Sequence, residues 1–350
     1  MTRPHRSLGR RSRRAALCGA LALTLGALTL AESTHAEPID LRWRTIDRFR
    51  IGEDPADRLR FLGGISLFGP RHFGGLSGLL VDGDRFLAVS DVGQWFSGRF
   101  LEEDGRLTGV ADTELWPRRD HNGDEIRTKR AGDAEALTLV PGGVRTVVEG
   151  AAQHLVYPAD GLVIDRDARP RRIDVHATIT SLAKRHGVES LATLPTGEVI
   201  MILEGNTRTG DVIPAFRDGA RFSIARRGEW SITGADALPG GDLVIVERYY
   251  GGGIDVRMRV RRLGADAVAK AGEGTVVDGP ILLEADFSEE IDNMEAIAAQ
   301  VRDGRIELTL MSDDNLSFLQ RSLLLRFAIG DPTPRANPLR VASAKPATRA

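Results

Sequence analysis

Carboxylates at the two ends of short apolar hairpins are the residues in this chain that are best suited to chemistry. In residues 188–205, Glu189 opens an apolar strand, residues 195–197 form a Pro-Thr-Gly turn, and Glu204 closes the second strand. A hairpin brings its two ends together, so the side chains of Glu189 and Glu204 should lie side by side. Carboxylate oxygens are the ligands that hard divalent cations such as Ca²⁺ prefer.

The same hairpin unit occurs five times along the chain. Its opening positions recur every 44 to 62 residues and are Ser77, Glu135, Glu189, Thr233 and Glu295. Its closing positions are acidic: Asp91, Glu149, Glu204, Glu247, Asp313 and Asp314. An all-strand repeat with a period in this range is typical of β-propeller blades. We therefore expect the acidic hairpin ends to converge on one mouth of a central channel.

The strand pattern supports the same fold class. The second strand of each hairpin is a continuous apolar run, as in residues 199–203, which favours strands that are covered on both faces. The sequence predicts an all-β propeller over residues 37–330, with six blades rather than five. We expect strand 41–51 to pair with C-terminal strands and close the ring, residues 54–73 to form a loop-rich connection, and no helix of ordinary length. Because the repeat is irregular, a sandwich of hairpins stays open as an alternative.

Both ends of the chain differ in composition from this repeat region. Residues 1–36 combine six arginines, an apolar stretch and a small-residue cleavage site, which is the pattern of a secretory signal peptide. Residues 12–17 resemble the twin-arginine export pattern, although an ordinary secretory signal with extra arginines remains open. We predict cleavage near Ala36 and a periplasmic or secreted protein. The proline-containing residues 331–350 are predicted to be a disordered tail.

Charge and cysteine content limit the possible partners. Removal of residues 1–36 takes away six arginines and one glutamate, so the net charge moves from −2 to about −7. A mildly acidic protein without a basic patch argues against nucleic acid as a partner. Cys18, the only cysteine, lies inside the signal, so no disulfide supports the mature domain. We expect a monomer that has no stable membrane anchor and is held together by its core.

A ring of close carboxylates needs a countercharge, because burial and like charges raise their pKa values. Three resolutions remain open: a bound Ca²⁺, a neighbouring arginine such as Arg248, or exposure of the acids as simple hairpin caps. The Ca²⁺ site that we predict comprises Glu135, Glu189, Glu204 and Glu295. Thr233 and Ser77 stand where other repeats have glutamate, so this acidic ring is incomplete at two blades.

Cationic and aromatic residues near the hairpins could bind a small anionic ester, which is the substrate that we predict. Residues 116–130 form the most polar loop, which is either a solvated excursion or a source of cations over the channel mouth. The predicted substrate-binding residues are Arg118, Arg119 and His121 from this loop, and Tyr249 beside Arg248.

No motif of a serine hydrolase elbow, a zinc protease or a dinucleotide site occurs in the chain, and Ser77 has no recognisable triad around it. The hairpin signatures, however, resemble those of the bacterial "esterase-like activity of phytase" family. They occur in residues 75–79, 89–91, 133–137, 188–192, 243–248, 293–298 and 311–315. A weaker likeness relates the acid pattern to gluconolactonase-like calcium propellers.

The resemblance implies a phytase-like β-propeller with exported hydrolase chemistry on phosphate or carboxylate esters. In the mechanism that we predict, a cation polarises the ester and Glu204 or Asp313 holds the attacking water. Arg248 offsets the charge that develops in the transition state. The alternative is a non-catalytic periplasmic binding or scaffold propeller, in which the acids tie the blades together.

Overall fold

The computed structural model describes residues 37–52, 57–148, 153–205 and 210–330, and most of their regular structure is β-strand. The predicted signal peptide and C-terminal tail lie outside the described residues, and so does Glu149. Within the described ranges, no helix has both the length and the apolar character that a membrane crossing requires.

The described strands form five antiparallel units, which we number as blades 1 to 5. The N-terminal segment supplies β1 (Glu37–Pro38), β2 (Arg42–Ile46) and β3 (Leu59–Phe68). Blade 1 consists of β4 (Leu76–Asp82), β5 (Arg85–Ser90), β6 (Gln94–Glu103) and β7 (Arg106–Pro117). Blade 2 follows helix α1 (Lys129–Gly132) and consists of β8 (Ala134–Val140), β9 (Gly143–Val148), β10 (Gln153–Asp160), β11 (Val163–Ile164) and β12 (Arg171–Ile173).

The remaining three blades repeat this order. Blade 3 follows α2 (Ala177–His186) and contains β13 (Val188–Thr193), β14 (Val199–Leu203), β15 (Val212–Arg217) and β16 (Ala220–Ala225). Blade 4 contains β17 (Ser231–Ala237), β18 (Leu243–Tyr250), β19 (Val256–Leu263) and β21 (Ile281–Asp286). The connection from β19 to β21 holds α3 (Ala265–Ala269) and β20 (Val276–Val277), and β20 pairs in parallel with β16 of blade 3. Blade 5 contains β22 (Asn293–Arg302), β23 (Arg305–Asp313), β24 (Ser322–Ile329) and the N-terminal β3.

The first strands of the blades form a closed ring. Strands β4, β8, β13, β17 and β22 contact one another in chain order, and β22 also contacts β4. A buried apolar cluster fills each of the five junctions between neighbouring blades; Ile202 of blade 3, for example, shares a cluster with Ile245 of blade 4. This arrangement confirms the predicted β-propeller and explains the continuous apolar runs, because each inner strand is covered on both faces.

The blade count differs from the six that we predicted, since the described strands supply five blades. The N-terminal strands do not build a further blade; β3 completes blade 5 by pairing with β24, and β2 lies outside β3. Closure by N- and C-terminal strands is therefore confirmed. The strand that makes this contact, however, lies in the stretch that we predicted to be a loop.

Two glycines account for the misread strand. Gly63 and Gly64 suggested a loop, but both lie inside β3. A Cβ at Gly64 would come within 2.8 Å of the Leu324 carbonyl oxygen, so the close approach of β24 requires glycine.

The ten-residue helix α2 departs from the expectation of no helix of ordinary length, although the fold remains nearly all β-strand. Its buried Ile179 and Ala183 are four residues apart and pack on the apolar cluster between blades 2 and 3. The pattern covers fewer than three turns, which is too short for its period to stand out in the sequence.

Candidate functional site

The innermost strand of every blade carries a β-bulge at the same point. The residues passed over by these register shifts are Ser77, Glu135, Glu189, Thr233 and Glu295. A bulged residue is left out of the ladder, and the local twist re-aims its side chain. The five opening positions of the sequence repeat are therefore the five bulge positions of the fold.

A small residue follows each bulge: Gly78, Ala136, Ser190, Gly234 and Ala296. A Cβ on Gly234 would lie 3.0 Å from the Cα of Ala296 in the next blade. Inner strands thus approach each other closely beside the bulges, which brings the bulge side chains of neighbouring blades together.

A cavity of about 970 Å³ opens at this end of the channel. Eight acidic residues line it: Asp91, Asp133, Glu135, Glu189, Glu204, Asp292, Glu295 and Asp313. Two cationic residues, Lys129 and Arg248, line it as well. Of the residues that we predicted to be catalytic or metal-binding, all six lie in this lining, since Glu204, Asp313, Arg248, Glu135, Glu189 and Glu295 are among its members.

Arg248 lies among the acids that come from several blades. Its guanidinium donates hydrogen bonds to the carboxylate of Glu295 and to the side-chain oxygen of Asn293. Asn293 in turn donates to Glu295, with 2.8 Å between Nδ2 and Oε1. The charges of Glu295, Glu189, Glu204 and Asp313 together raise the pKa of Arg248 against the opposing effect of burial. The arginine is consequently a fixed positive charge at this mouth.

Lys129 supplies the second cation from the first residue of α1. Its ammonium group is paired with the buried carboxylate of Asp91. This hydrogen bond, together with the charge of Asp91, raises the pKa of Lys129. Burial is nonetheless the main influence on Asp91 and raises the pKa of that carboxyl.

The protonation of Asp313 differs strongly from that of an ordinary aspartate. Burial raises its pKa to about 8, and the charges of Glu295, Asp91 and Asp314 act in the same direction. The backbone N–H of Asn315 donates to Oδ1 at 2.7 Å and opposes this shift only in part. Because its pKa lies above 7, the Asp313 carboxyl carries a proton at neutral pH, while a typical aspartate is ionised.

The two repeats without a bulge glutamate use their hydroxyl groups to tie blades together. Ser77 donates to the carbonyl oxygen of Ala134, and Thr233 donates to that of Met294 at 2.7 Å. In each case the acceptor is the residue that precedes the bulge glutamate of the next blade. Ser77 also lines the cavity.

Two further hairpin acids do not line the cavity. Glu247 is fully buried and bound by Arg259 and Arg261. The Asp314 carboxylate accepts hydrogen bonds from the backbone N–H of Gly75 and the hydroxyl of Ser322. These contacts give both acids a structural role, which agrees with the alternative that the acids tie the blades together.

The predicted substrate-binding residues lie away from the cavity lining. Arg118 is fully buried and donates to the Gly132 carbonyl, and Arg119 donates to the Gly123 carbonyl at 2.7 Å. His121 is exposed in the turn that follows Arg119. The loop does deliver a cation to the mouth, but the cation is Lys129 at its end.

Tyr249 lies on the opposite face of β18 from the cavity. It packs against Trp230, with ring centroids 5.8 Å apart, and the Arg257 guanidinium stacks over it. Successive side chains of a strand point to opposite faces, so Arg248 and Tyr250 share the cavity face and Tyr249 does not.

The acids as arranged do not fit the predicted calcium site. In the part of the chain that the structure describes, no group of three or more His, Cys, Asp or Glu side chains is placed to hold a metal ion. The guanidinium of Arg248 lies where a shared cation would be needed, and it binds Glu295 directly. We therefore derive no chemical step through a metal.

This arrangement predicts that Arg248 and Ca²⁺ compete for the same carboxylates. We expect added Ca²⁺ to leave the Tm of the wild-type protein almost unchanged. In Arg248→Met, Ca²⁺ should raise the Tm by about 3 °C at ten times its dissociation constant, because binding to the folded state stabilises it. Thermal unfolding with calcium or chelator measures both responses.

The matched control for this experiment is Arg257→Met, which removes an exposed arginine of β19 that is paired with Asp255, two residues before it. It should respond like the wild type. Changing Glu189 and Glu204 to glutamine in the Arg248→Met background should abolish the calcium response. A large Tm rise in the wild type itself would show that the acids rearrange around the ion and would contradict the competition.

Several lining residues were not among the predicted site residues, although the sequence contains a pattern that identifies two of them. Asp133 and Asn293 each stand two residues before a bulge glutamate, in the related sequences Asp-Ala-Glu and Asn-Met-Glu. Lys129 and Asp292 have no such pattern; Lys129 is the first residue of α1, and Asp292 directly precedes β22.

Comparisons with known proteins relate the chain to one family. A comparison with curated proteins gave no match. Among solved structures, an exo-1,5-α-L-arabinanase from a bovine ruminal metagenomic library is similar at a TM-score of 0.43 and 10% identity, covering 73% of this chain and 93% of that one. A thermostable family-43 glycoside hydrolase gives 0.42 and 10%, covering 80% and 97%. The Cps50 (Swd1) β-propeller domain of Myceliophteria thermophila gives 0.38 and 9%, covering 83% and 100%.

The family match covers both the bulges and most of the cavity. The sequence model of the Phytase-like family, described as esterase-like activity of phytase, matches residues 71–316. These residues include the bulge positions of all five blades and every acid of the cavity lining. The chain therefore belongs to the Phytase-like family, as its hairpin signatures predicted.

Proposed function

We propose that the protein is an exported hydrolase that cleaves phosphate or carboxylate esters in the acidic cavity at the propeller mouth. The observation that carries this proposal is the convergence of four of the five bulge residues on a cavity where a protonated acid, a fixed arginine and several carboxylates lie together. Membership of the Phytase-like family supports hydrolase chemistry. Export is proposed from the signal-like pattern of residues 1–36.

Asp313 is the proposed general acid. A carboxyl that retains its proton at neutral pH can donate it to the oxygen of the departing alcohol. Its position at the end of β23, held by the Asn315 N–H, directs the group into the cavity lining.

Glu204 is the proposed base that holds the attacking water. It follows β14 directly, is partly exposed at the cavity wall and interacts electrostatically with Arg248. A positioned carboxylate that removes a proton from water raises the nucleophilicity of the water oxygen. The charge of Arg248 orients the carboxylate and the water.

Arg248 is proposed to stabilise the negative charge that develops on the ester oxygen. A guanidinium that is already fixed by Glu295 and Asn293 needs little reorganisation during the reaction. Lys129, which lines the same cavity, is the proposed second contact for the substrate in place of the predicted Arg118, Arg119 and His121.

Replacing Arg248 with alanine should reduce kcat/KM by about 10²–10³, the usual cost of losing one charge that stabilises a transition state. The assay uses the purified mature protein with aryl phosphates, aryl acetates, phytate and sugar lactones, in calcium and in chelator. Arg257→Ala is the matched control and should retain the wild-type rate, because Arg257 lies on the outer face of the same hairpin and is not part of the cavity lining.

Turnover that survives Arg248→Ala would refute the proposed role of this residue. If no substrate of the panel is hydrolysed by the folded protein, the second candidate, a non-catalytic binding propeller, is favoured. The hydrogen bonds from Ser77 and Thr233 to neighbouring blades support that candidate, since they give two of the five bulge residues a structural role.

A further inference from the structure

We infer that the cavity takes esters whose reacting group is attached to an apolar chain of several carbon atoms, and that the loops of blades 4 and 5 hold this chain. This inference rests on the proposed hydrolytic function and narrows its substrate class. It derives from the division of the cavity wall into a polar side and an apolar side, which the proposed mechanism does not use.

The apolar side of the wall comes from one part of the chain. Every described residue from Ser77 to Glu204 that lines the cavity is polar. Later in the chain, four lining side chains are apolar and 42 to 78% exposed, and we call them the apolar rim: Tyr250, Ile254, Phe287 and Leu319. Single exposed apolar residues are common, but a group of them around one cavity marks a binding surface.

The apolar rim continues directly from the proposed reacting groups. Tyr250 stands two residues after Arg248 in β18 and on the same face, so their Cα atoms lie about 7 Å apart. Leu319 lies in the loop that begins after Asp313 at the end of β23. An ester held at Arg248 and Asp313 therefore has its substituents beside the rim, and an acetyl group is too short to cover it.

The backbone holds Ile254 at this position. The N–H of Gly251 donates to the Asp255 carbonyl oxygen at 2.9 Å, and the N–H of Asp255 donates to that of Gly252 at 3.1 Å. Gly252 and Gly253 have φ angles of 103° and 61°, in the left-handed region that favours glycine. The turn is thus a defined structure, and it presents the Ile254 side chain to the cavity instead of burying it.

The occupant of the apolar rim is part of the molecule that reacts. One cavity joins the rim to Arg248 and Asp313, so a single bound molecule contacts both. Such a molecule is amphipathic, with an ester at one end and an apolar chain at the other. A purely polar ester leaves the rim in contact with water and gains nothing from it.

Two uncharged amides of different chain length test this inference by calorimetry without any turnover. N-octylacetamide should bind at least about tenfold more tightly than N-butylacetamide, because the additional methylene groups leave water at the rim. Equal affinities of the two amides would overturn the inference.

Two rim variants on different loops, Ile254→Ser and Leu319→Ser, locate the chain. Each should weaken binding of N-octylacetamide about three- to tenfold and that of N-butylacetamide less, through lost apolar contact. Phe318→Ser is the matched control, since Phe318 precedes Leu319 in the same loop and is 95% exposed but is not part of the lining. It should bind like the wild type.

An equal loss of affinity in Phe318→Ser would show that the outer surface of the loop, and not the cavity, holds the chain. That result would overturn the inference. Circular dichroism verifies that all three variants remain folded.

Hydrolysis is measured separately with p-nitrophenyl acetate and p-nitrophenyl octanoate, so that the two proposals can fail independently. We expect the octanoate to have the higher kcat/KM, by at least about tenfold. A protein that prefers the longer amide but cleaves neither ester would refute the hydrolase and leave the chain-binding rim intact. A protein that cleaves both esters equally well and binds both amides equally would retain the hydrolase and refute the rim.

Discussion

Replacing Asp313 with asparagine should lower the rate of ester hydrolysis by about 10²–10⁴, the usual contribution of a general acid. The amide keeps the shape of the side chain but has no acidic proton to give. In the wild type, the rate should fall as the pH rises above about 8, where the buried carboxyl loses its proton. The pH profile of kcat/KM, measured for both proteins, checks this expectation, with the exposed Asp82→Asn as a control that should match the wild type.

The same substitution should make the protein more stable at neutral and alkaline pH. Between about pH 4 and pH 8, the folded state keeps the Asp313 proton that the unfolded chain releases, so the free energy of unfolding decreases as the pH rises. This loss amounts to at most about 1.4 kcal/mol per pH unit. Asparagine removes it, and the two proteins should converge in stability near pH 4.

Together, the two measurements separate a chemical role from a structural one. A variant that is both inactive and more stable at pH 8 is what a buried catalytic acid predicts. If Asp313→Asn instead loses stability at pH 8, and the unfolded fraction accounts for the loss of rate, then the carboxyl supports the fold and the proposed role is wrong.

Replacing Glu247 with glutamine should lower the free energy of unfolding by about 3–5 kcal/mol. The Glu247 carboxylate is fully buried and accepts hydrogen bonds from two buried arginines, from Arg259 Nε at 2.5 Å and from Arg261 Nε at 2.7 Å. Its removal leaves both guanidinium groups without their main countercharge in the interior of blade 4. Urea unfolding of the two proteins measures the loss.

The control for this prediction is Asp255→Asn, which breaks the exposed ion pair between Asp255 and Arg257. Surface pairs of this kind contribute about 0–1 kcal/mol, so this variant should unfold close to the wild type. Because Glu247 does not line the cavity, Glu247→Gln should also retain hydrolysis at a temperature where it is folded. A stability loss below 1 kcal/mol would show that the arginines find other partners.

Much of the cavity could be predicted from the sequence because its acids stand at the ends of repeated hairpins. Glu189 and Glu204 are close in sequence and share one hairpin, so local turn chemistry alone brings them together. The repeat then places Glu135 and Glu295 at equivalent points of other blades. The prediction needed the spacing of the acids and their common position before an apolar strand, and both are visible in the chain.

The residues that lie away from the cavity despite the prediction are those whose position depends on side-chain direction or on a contact with a distant segment. Tyr249 and Tyr250 are adjacent in sequence, but only Tyr250 faces the cavity, because the phase of the strand alternation depends on which face meets the channel. Arg118 was chosen for its charge, although the fold buries it against the Gly132 carbonyl. The described strands fill five blades because β3 pairs with β24 instead of starting a further blade, and this pairing joins residues that are far apart in sequence.

The pairing of β3 with β24 also has a consequence for the order in which the protein matures. During synthesis, β3 emerges near the start of the domain, but its partner β24 emerges near the end. Until then, β3 presents an unpaired strand edge, which is a site for pairing with other chains. The ring therefore cannot close until β24 has been synthesised. Contacts between distant segments also slow folding. A nascent chain truncated before residue 322 therefore lacks the strand that closes its ring, however complete its other four blades are.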